Sequence, residues 1–576
     1  MRNKNLFYLL VSGVLVGVSG VASAIDIDCN RMVCTTLDRT IVPDNVSAIQ
    51  TVSIENPADF KKYGYGLWHY GTGLPYQKRL DLMPLSYVSH HDTVANEAKL
   101  LRFFTITDVH ITDEESPAQA IFFRKWLGNN AVSVYSPLML YTTHVLDATV
   151  KTINKLHKQD AIDFGLALGD LANNTQYNEL RWFIDILDGK WITPDSGAKD
   201  NVILGSHNDY QDTYKAEGLN RSIPWYAVIG NHDHFWIGSK PVNDLIRKTL
   251  IGSDILQVGN ILKDPNWMDK KDYSGGTLDG GRLYAPIIGE GVVENMETIP
   301  KITPDKNRRS LSKNEWISEF SKVLPNSNPK GHGFVQKNSK NKLSGEACYS
   351  FEPKSNLPIK VIVLDDTQDE TNPNTVTNIY GHGYLGKKRH DWLIEQLQAG
   401  QNEGKLMIIA AHIPIGVVPI GDEVGWLATT DVFKEEQTNL IQELKTYPNL
   451  ILWVSGHRHL NTVTAFKADF ATPTENSFWE VETKSLREFP QQFRTFDIVR
   501  NSDNTISIFT TNVDPDVKAG SFADISRSYA LASNQIYGLS EAPNPTGSSS
   551  YNAELVKQLS PEMQAKIANL KLPTRK

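Results

Sequence analysis

Seven residues with metal-binding side chains fall into five short blocks: Asp108 and His110 in "DVH", Asp170 in "GDLAN", Asn231 in "GNHD", His412 in "AAH", and His457 and His459 in "GHRH". Carboxylate oxygen, imidazole nitrogen and amide oxygen together suit borderline ions such as Mn, Fe, Zn, Co or Ni. Two such ions about 3.5–4 Å apart need a shared ligand, and a carboxylate with two oxygens provides one. Each block alone also has a plainer meaning. Asp108 reads as a helix cap, "GDLANN" as a turn followed by a cap, and His412 as a satisfied core residue. Five coincidences in one order point instead to a single site, with His232 and Asp233 as further candidates for catalysis.

These residues need elements to position them, and each block follows a run of strand length. "LRFFTIT" leads to Asp108, "DFGLAL" to Gly169, "PWYAVI" to Gly230, "KLMIIAA" to His412 and "LILWVS" to Gly456; "IKVIVL" leads to Asp365. Runs that are apolar at consecutive positions predict strands buried on both faces. Between them, "VLDATVKTINKLH" sets Leu146, Val150, Ile153 and His157 on one helical face, and "KKRHDWLIEQLQAG" sets Trp392 and Leu393 near Leu397. This is the grammar of an α/β protein whose chemistry sits at strand ends. Gly169, Gly230 and Gly456 are expected to let the backbone turn sharply ahead of a ligand. If the chain stays extended past Gly456, His457 and His459 share a side and Arg458 turns away.

With 576 residues, 40% hydrophobic and 22% charged, the chain has an ordinary globular composition, which excludes disordered and fibrous classes. Residues 1–24 combine Arg2 and Lys4, an apolar core from Leu6 to Val18 and Ala22-Ser23-Ala24, the pattern of a cleaved secretory leader. Export to the periplasm or medium is expected, with no membrane span in the mature chain. The 66 acidic residues outnumber the 58 basic ones, so no nucleic-acid-binding surface is evident. Three cysteines are too few for a thiolate cluster; Cys29 and Cys34 either close a small loop or stay as free thiols. Residues 25–100 read as an N-terminal extension packed on the core and 101–515 as the main domain, with an insertion at about 235–355. Residues 516–576 read as a partly helical tail. "FRTFDIVRNSDNTISIFTT" predicts a hairpin.

In order, the five blocks resemble the signature of the calcineurin-like metallophosphoesterase superfamily, over roughly residues 101–515. The flanking "GHGYLGKKRHDWLIEQL" and the insertion are similar to an exported bacterial subgroup. The resemblance implies a four-layer αββα sandwich with a dinuclear metal centre between the sheets. It implies Asp108, His110 and His459 on one metal, Asn231, His412 and His457 on the other, and Asp170 bridging both. A hydroxide between the metals would attack phosphorus, with His232 facing the leaving group as proton donor or positive contact and Asp233 orienting that histidine. Purple acid phosphatases carry a tyrosine where this chain has Asn173, and protein Ser/Thr phosphatases carry Gly-Asn-His-Glu where it has "GNHD". The pattern is nearer to phosphodiesterase-like members and assorted phosphomonoesterases.

The expected function is therefore an exported, metal-dependent phosphoric ester hydrolase acting on a small-molecule diester or monoester, with a slight lean to diesters. The rival is a catalytically silent, metal-containing surface binding protein; the complete ligand set and His232 argue against it, because a retired enzyme tends to lose ligands. A dinuclear oxidoreductase is disfavoured, since no Glu-x-x-His pairs form a second set. Arg458, Arg308, Arg309 and Arg79, with His234, His332 and His382, are candidate phosphate contacts. Surface charge or turn chemistry accounts for each of them as well.

Overall fold

The computed structural model describes Cys29 and residues 32–46, 52, 54, 57–89, 91–119, 136–197, 208–253, 302–322, 328–370, 380–416, 436–538 and 550–572. The leader and residues 254–301 of the insertion lie outside the described residues.

The strands of the two main sheets are numbered along the chain. Seven form one sheet in the order β1 (Gln77–Arg79), β13 (Ala553–Lys557), β12 (Ile506–Val513), β11 (Phe493–Asn501), β2 (Asn96–Ile106), β3 (Phe164–Leu168) and β4 (Trp225–Val228). Six form the other: β5 (Tyr349–Phe351), β6 (Ile359–Val363), β7 (Leu406–Ala410), β8 (Leu450–Ser455), β10 (Phe478–Glu482) and β9 (Thr462–Phe466). The strands β2–β3–β4, at one end of the first sheet, and β6–β7–β8–β10, in the middle of the second, are parallel. The predicted hairpin is the antiparallel pair β11–β12.

Strand alternation separates the layers. In the second sheet Val361, Val363, Ile408, Ala410, Leu452 and Val454 share a core with Phe103, Phe164 and Phe496 of the first. The intervening Ile362, Met407, Ile409 and Trp453 pack on Trp392, Leu393 and Leu397 of the helix Lys387–Asn402. On the first sheet, Leu146, Val150 and Ile153 of the helix Thr142–Gln159 and Phe183 and Ile184 of Tyr177–Leu187 cover the outer face. The result is helix, sheet, sheet, helix. Each such fully buried side chain contributes roughly 1.5–3 kcal/mol. A buried polar link joins the sheets, where Tyr349 Oη donates to the carbonyl of Ala227 at 2.8 Å.

The flanking segments are more deeply built in than their sequence pattern conveys. Cys29 and Cys34 are disulfide-bonded, and β2 begins at Asn96, inside the expected extension. In the insertion, Ser312 and Glu315 form a capping box for the helix Lys313–Ser321, which sends Trp316 and Phe320 into the main core. Residues 516–576, expected as a tail, supply the helix Phe522–Tyr537, the strand β13 between β1 and β12, and the helix Pro561–Ala568. The strand "AELVK" falls in the tail that the sequence reads only as partly helical. It extends instead because it completes the hydrogen bonding of β12.

Candidate metal centre

Parallel strands end together, and the loops after β2, β3, β4, β7 and β8 bring all seven candidate ligands into one cluster. Asp108 Oδ1 lies 3.3 Å from His459 Nε2 and 3.9 Å from His110 Nε2, and those two nitrogens are 3.2 Å apart. Asn231 Oδ1 lies 2.9 Å from His412 Nε2 and 3.1 Å from His457 Nδ1. Asp170 Oδ2 sits between the two groups, 3.7 Å from His110 Nε2 and 3.3 Å from His412 Nε2. The aspartates, His110, His412 and Asn231 are buried, whereas His457, His459 and His232 are partly exposed and form the open side.

The backbone is bent to achieve this. Asp108, His110, Asp170, His457 and His459 all have positive φ, between 46° and 77°. For residues other than glycine this costs about 1–3 kcal/mol apiece and persists only where surrounding structure imposes it. Here the loops lace together: His110 N–H donates to the Asp170 carbonyl, and His457 N–H donates to Asp108 Oδ2 at 2.9 Å. The expectation that His457 and His459 share a side through strand alternation is therefore corrected. β8 stops at Ser455, and two left-handed residues send the rings to different groups.

The glycines also differ from expectation. Gly169 has φ 93°, but Gly230 and Gly456 do not adopt positive φ. They serve close approach, since a Cβ on Gly230 would strike Asp170, and one on Gly456 would strike Thr107 and Asp108.

Two carboxylates among five imidazoles set the electrostatics. Burial opposes ionisation of Asp108 and Asp170, yet His459 and His412 respectively hold their pKa values below the usual carboxylate range. Burial likewise opposes a charge on His412, but Asp170, and more weakly Asp108, raise it to about 10. His459 is raised against its burial by Glu488 and Asp108. His110 and His457 are pushed well below the ordinary value, first by burial and then by their imidazole neighbours. The pocket thus attracts positive charge beside its carboxylates, at His412 and His459, and disfavours a proton on His110 and His457.

His232 enters this cluster from the loop after β4. Its N–H donates to Asp170 Oδ1 at 2.8 Å, and its ring meets His110 edge-on at 4.5 Å between centroids. A carbonyl fixes the ring, with Asn173 O 2.7 Å from Nδ1, so Nδ1 carries the proton. The expected role of Asp233 in orienting His232 is corrected accordingly. Asp233 Oδ1 accepts from Leu171 and Ala172, and Oδ2 from Gly230, all backbone N–H groups, so this carboxylate holds the loop bearing Asp170.

A sixth segment, Thr483–Glu488 after β10, was not legible in the sequence as part of the site. Ser485 Oγ donates to the Asp108 carbonyl, Arg487 reaches Asn173, and Glu488 Oε1 lies 3.2 Å from His459 Nδ1. It lacks the glycine and histidine pattern of the other blocks; its one hint is an Arg-Glu pair just past a strand. The candidate phosphate contacts are committed elsewhere. Arg458 pairs with Glu482, Arg308 with Asp113, Arg79 with Asp81, and Arg309 stacks on Tyr177. His332 stacks on Trp225, His234 bonds Thr367, and His382 is buried with its backbone N–H donating to Gln368 Oε1.

The donor set fits metal ions. Three groups of carboxylate and imidazole atoms lie within 4.8 Å of one another: Asp108, His110 and His459; His110, Asp170 and His232; and Asp108, Asp170 and His412. Asp108 Oδ1 is buried and accepts no hydrogen bond, an orphaned anionic oxygen of the kind a cation satisfies.

The calcineurin-like phosphoesterase family matches residues 101–364, and the PhoD-like phosphatase family matches residues 359–524. No curated protein sequence matches the chain. Among solved structures, a dimetal phosphatase from Danio rerio is 10% identical, covers 73% of this chain and 100% of its own, and has a TM-score of 0.34. A putative 5'-nucleotidase from Staphylococcus aureus is 12% identical over 74% of this chain and 58% of its own, with a TM-score of 0.30. GAP50, described as the anchor in the inner membrane complex of Plasmodium, is 11% identical over 76% and 95%, with a TM-score of 0.29.

Proposed function

We infer, from the premise that this chain is a calcineurin-like phosphoesterase and hence a phosphoric ester hydrolase, that it is an exported, two-metal enzyme cleaving a small-molecule phosphate diester or monoester. The observation behind this reading is the cluster in which Asp170 Oδ2 stands between an Asp108–His110–His459 group and an Asn231–His412–His457 group. Asp108, His110 and His459 would hold one ion and Asn231, His412 and His457 the other, with Asp170 shared. Bound ions of the Mn, Fe, Zn, Co or Ni type would offset phosphoryl charge and lower the pKa of a water, making hydroxide available at neutral pH.

The chain's own residues supply orientation and a hydrogen-bonding edge. With Nδ1 committed to Asn173 O, Nε2 is the remaining polar atom of the partly exposed His232 ring and would be the one to contact a leaving-group oxygen. Its pKa is lowered, chiefly by burial, so the ring is neutral at neutral pH and acts as a donor only after taking a proton. Asp233 and Gly230 hold the loop that presents Asp170 and His232. The Cys29–Cys34 disulfide and the apolar leader support export, since disulfides persist in oxidising compartments. No helix among the described residues is long and apolar enough to cross a membrane.

A panel of phosphate monoesters and diesters, including p-nitrophenyl and bis-p-nitrophenyl phosphate, tests this on metal-reconstituted mature protein. Turnover of either class supports the reading. A folded, metal-loaded protein inactive on the whole panel would leave the binding-protein alternative standing.

A further inference from the structure

The tautomer and position of His232 depend on one carbonyl, that of Asn173, and the Asn173 side chain is held by a residue far away in sequence. Arg487 Nη1 lies 2.9 Å from Asn173 Oδ1, 3.0 Å from Thr112 Oγ1 and 3.4 Å from the His110 carbonyl. One nitrogen thus ties the loop after β2 to the loop after β3. Upstream, those loops are already laced by His110 N–H on the Asp170 carbonyl, Ile111 N–H on Leu171 and Asn173 N–H on Ile111. Arg487 closes the end at which the His232 contact is made.

The arginine is itself fixed. It is 1% exposed, its N–H donates to Ser485 Oγ at 2.9 Å, and Ser485 Oγ donates to the Asp108 carbonyl. Its Nε and Nη2 are buried without a hydrogen-bond partner. Arg308 and Arg389, also buried, are paired with Asp113 and Asp365. Arg487 makes no such ion pair among the described residues, and all its side-chain hydrogen bonds go to neutral oxygens of the two site loops. Burying a cation in this way is costly, and what the cost secures is the placement of those loops.

We propose that Arg487 is a positioning residue for His232, acting through Asn173. This rests on the phosphoesterase reading above. The expected pattern follows from an action through His232 rather than through the ligands. Arg487→Met should lower kcat at least tenfold, leave KM within about twofold, and keep the metal content of the wild type. The loss should be greater for esters with poor leaving groups than for p-nitrophenyl esters, as it should be for His232→Ala. In a double-variant cycle, Arg487→Met should cost little once His232 is alanine. Arg487→Lys, which keeps a donor on a long stem, should recover part of the rate.

Full additivity in the cycle, or loss of metal in place of loss of kcat, would overturn the proposal. A crystal structure of Arg487→Met, or of Arg487→Lys where the methionine variant does not fold, provides an arm independent of turnover. Displacement of the His232 ring from the Asn173 carbonyl supports the assignment, and an unmoved ring refutes it, whether or not the wild type hydrolyses any ester.

Discussion

Glu488 Oε1 lies 3.2 Å from His459 Nδ1, while Asp108 Oδ1 lies 3.3 Å from Nε2 of the same ring. A carboxylate only accepts, so Glu488 holds a proton on Nδ1 and leaves Nε2 facing Asp108 and His110. Carboxylate support of this kind orients an imidazole and raises its basicity as a ligand. Glu488→Gln should therefore weaken metal binding by about 10- to 100-fold, measured by competition with a chelating dye. Unchanged affinity would show that His459 needs no such support.

His232 stands apart from the ligands in its expected behaviour. Its replacement by alanine should lower turnover by roughly 10²–10⁴-fold while leaving metal content intact. Elemental analysis beside steady-state kinetics checks both halves. Loss of both metals would mean that the ring serves the ions, in line with its place beside His110 and Asp170.

Gly456 is a test of packing. A Cβ there meets Thr107 and the Asp108 carboxylate, with Thr107 Oγ1 already donating to Asp108 Oδ2 at 2.6 Å. Gly456→Ala should cost about 1–3 kcal/mol of stability and reduce metal occupancy, read from denaturant midpoints with and without added metal. A variant matching the wild type in both would show that the loop has slack.

These cases also mark what the sequence conveys. The six strands leading to Asp108, Gly169, Gly230, Asp365, His412 and Gly456 are legible because they are buried on both faces and so are apolar at nearly every position. The seven clustered side chains are legible because glycine and metal-type donors recur at those strand ends. Glu488 and Arg487 are not, because they act through tertiary contacts, with His459 across an intervening hairpin of strands and with Asn173 more than three hundred residues away, that leave no local pattern. The backbone reversal at His457 is hidden for a related reason. Left-handed φ in a histidine is imposed by Asp108 Oδ2 accepting its N–H, a tertiary contact. The strand β13 is obscured because "AELVKQL" is rich in helix-forming Ala, Glu, Leu, Lys and Gln, and pairing with β12 on one side and β1 on the other overrides that propensity.

Asp365 gives a prediction for pH. It is fully buried, with Lys313 Nζ at 2.7 Å and Arg389 Nη1 at 2.8 Å. Burial would raise its pKa, but Lys313 and then Arg389 outweigh burial and hold it far below the usual carboxylate value. A folded pKa below the unfolded one adds stability that is present above the unfolded value, about 3.9, and is lost as pH falls towards the folded value. Asp365→Asn should cost about 3–5 kcal/mol at neutral pH and flatten the acid side of the stability profile. Chemical denaturation between pH 3 and pH 7 measures this, and an unchanged acid slope would assign the acid sensitivity to other groups.

The central claim is that Asp170 joins two metal groups that together act on phosphate esters. The most direct measurement is a titration of chelator-treated wild type with Mn²⁺ or Zn²⁺, following bound metal and p-nitrophenyl ester hydrolysis together. Activity should be absent without metal and should rise to a plateau at close to two ions per chain, with Asp170→Asn failing to reach it. Hydrolysis that survives complete chelation, or a fully loaded, folded protein with no turnover, would contradict the account.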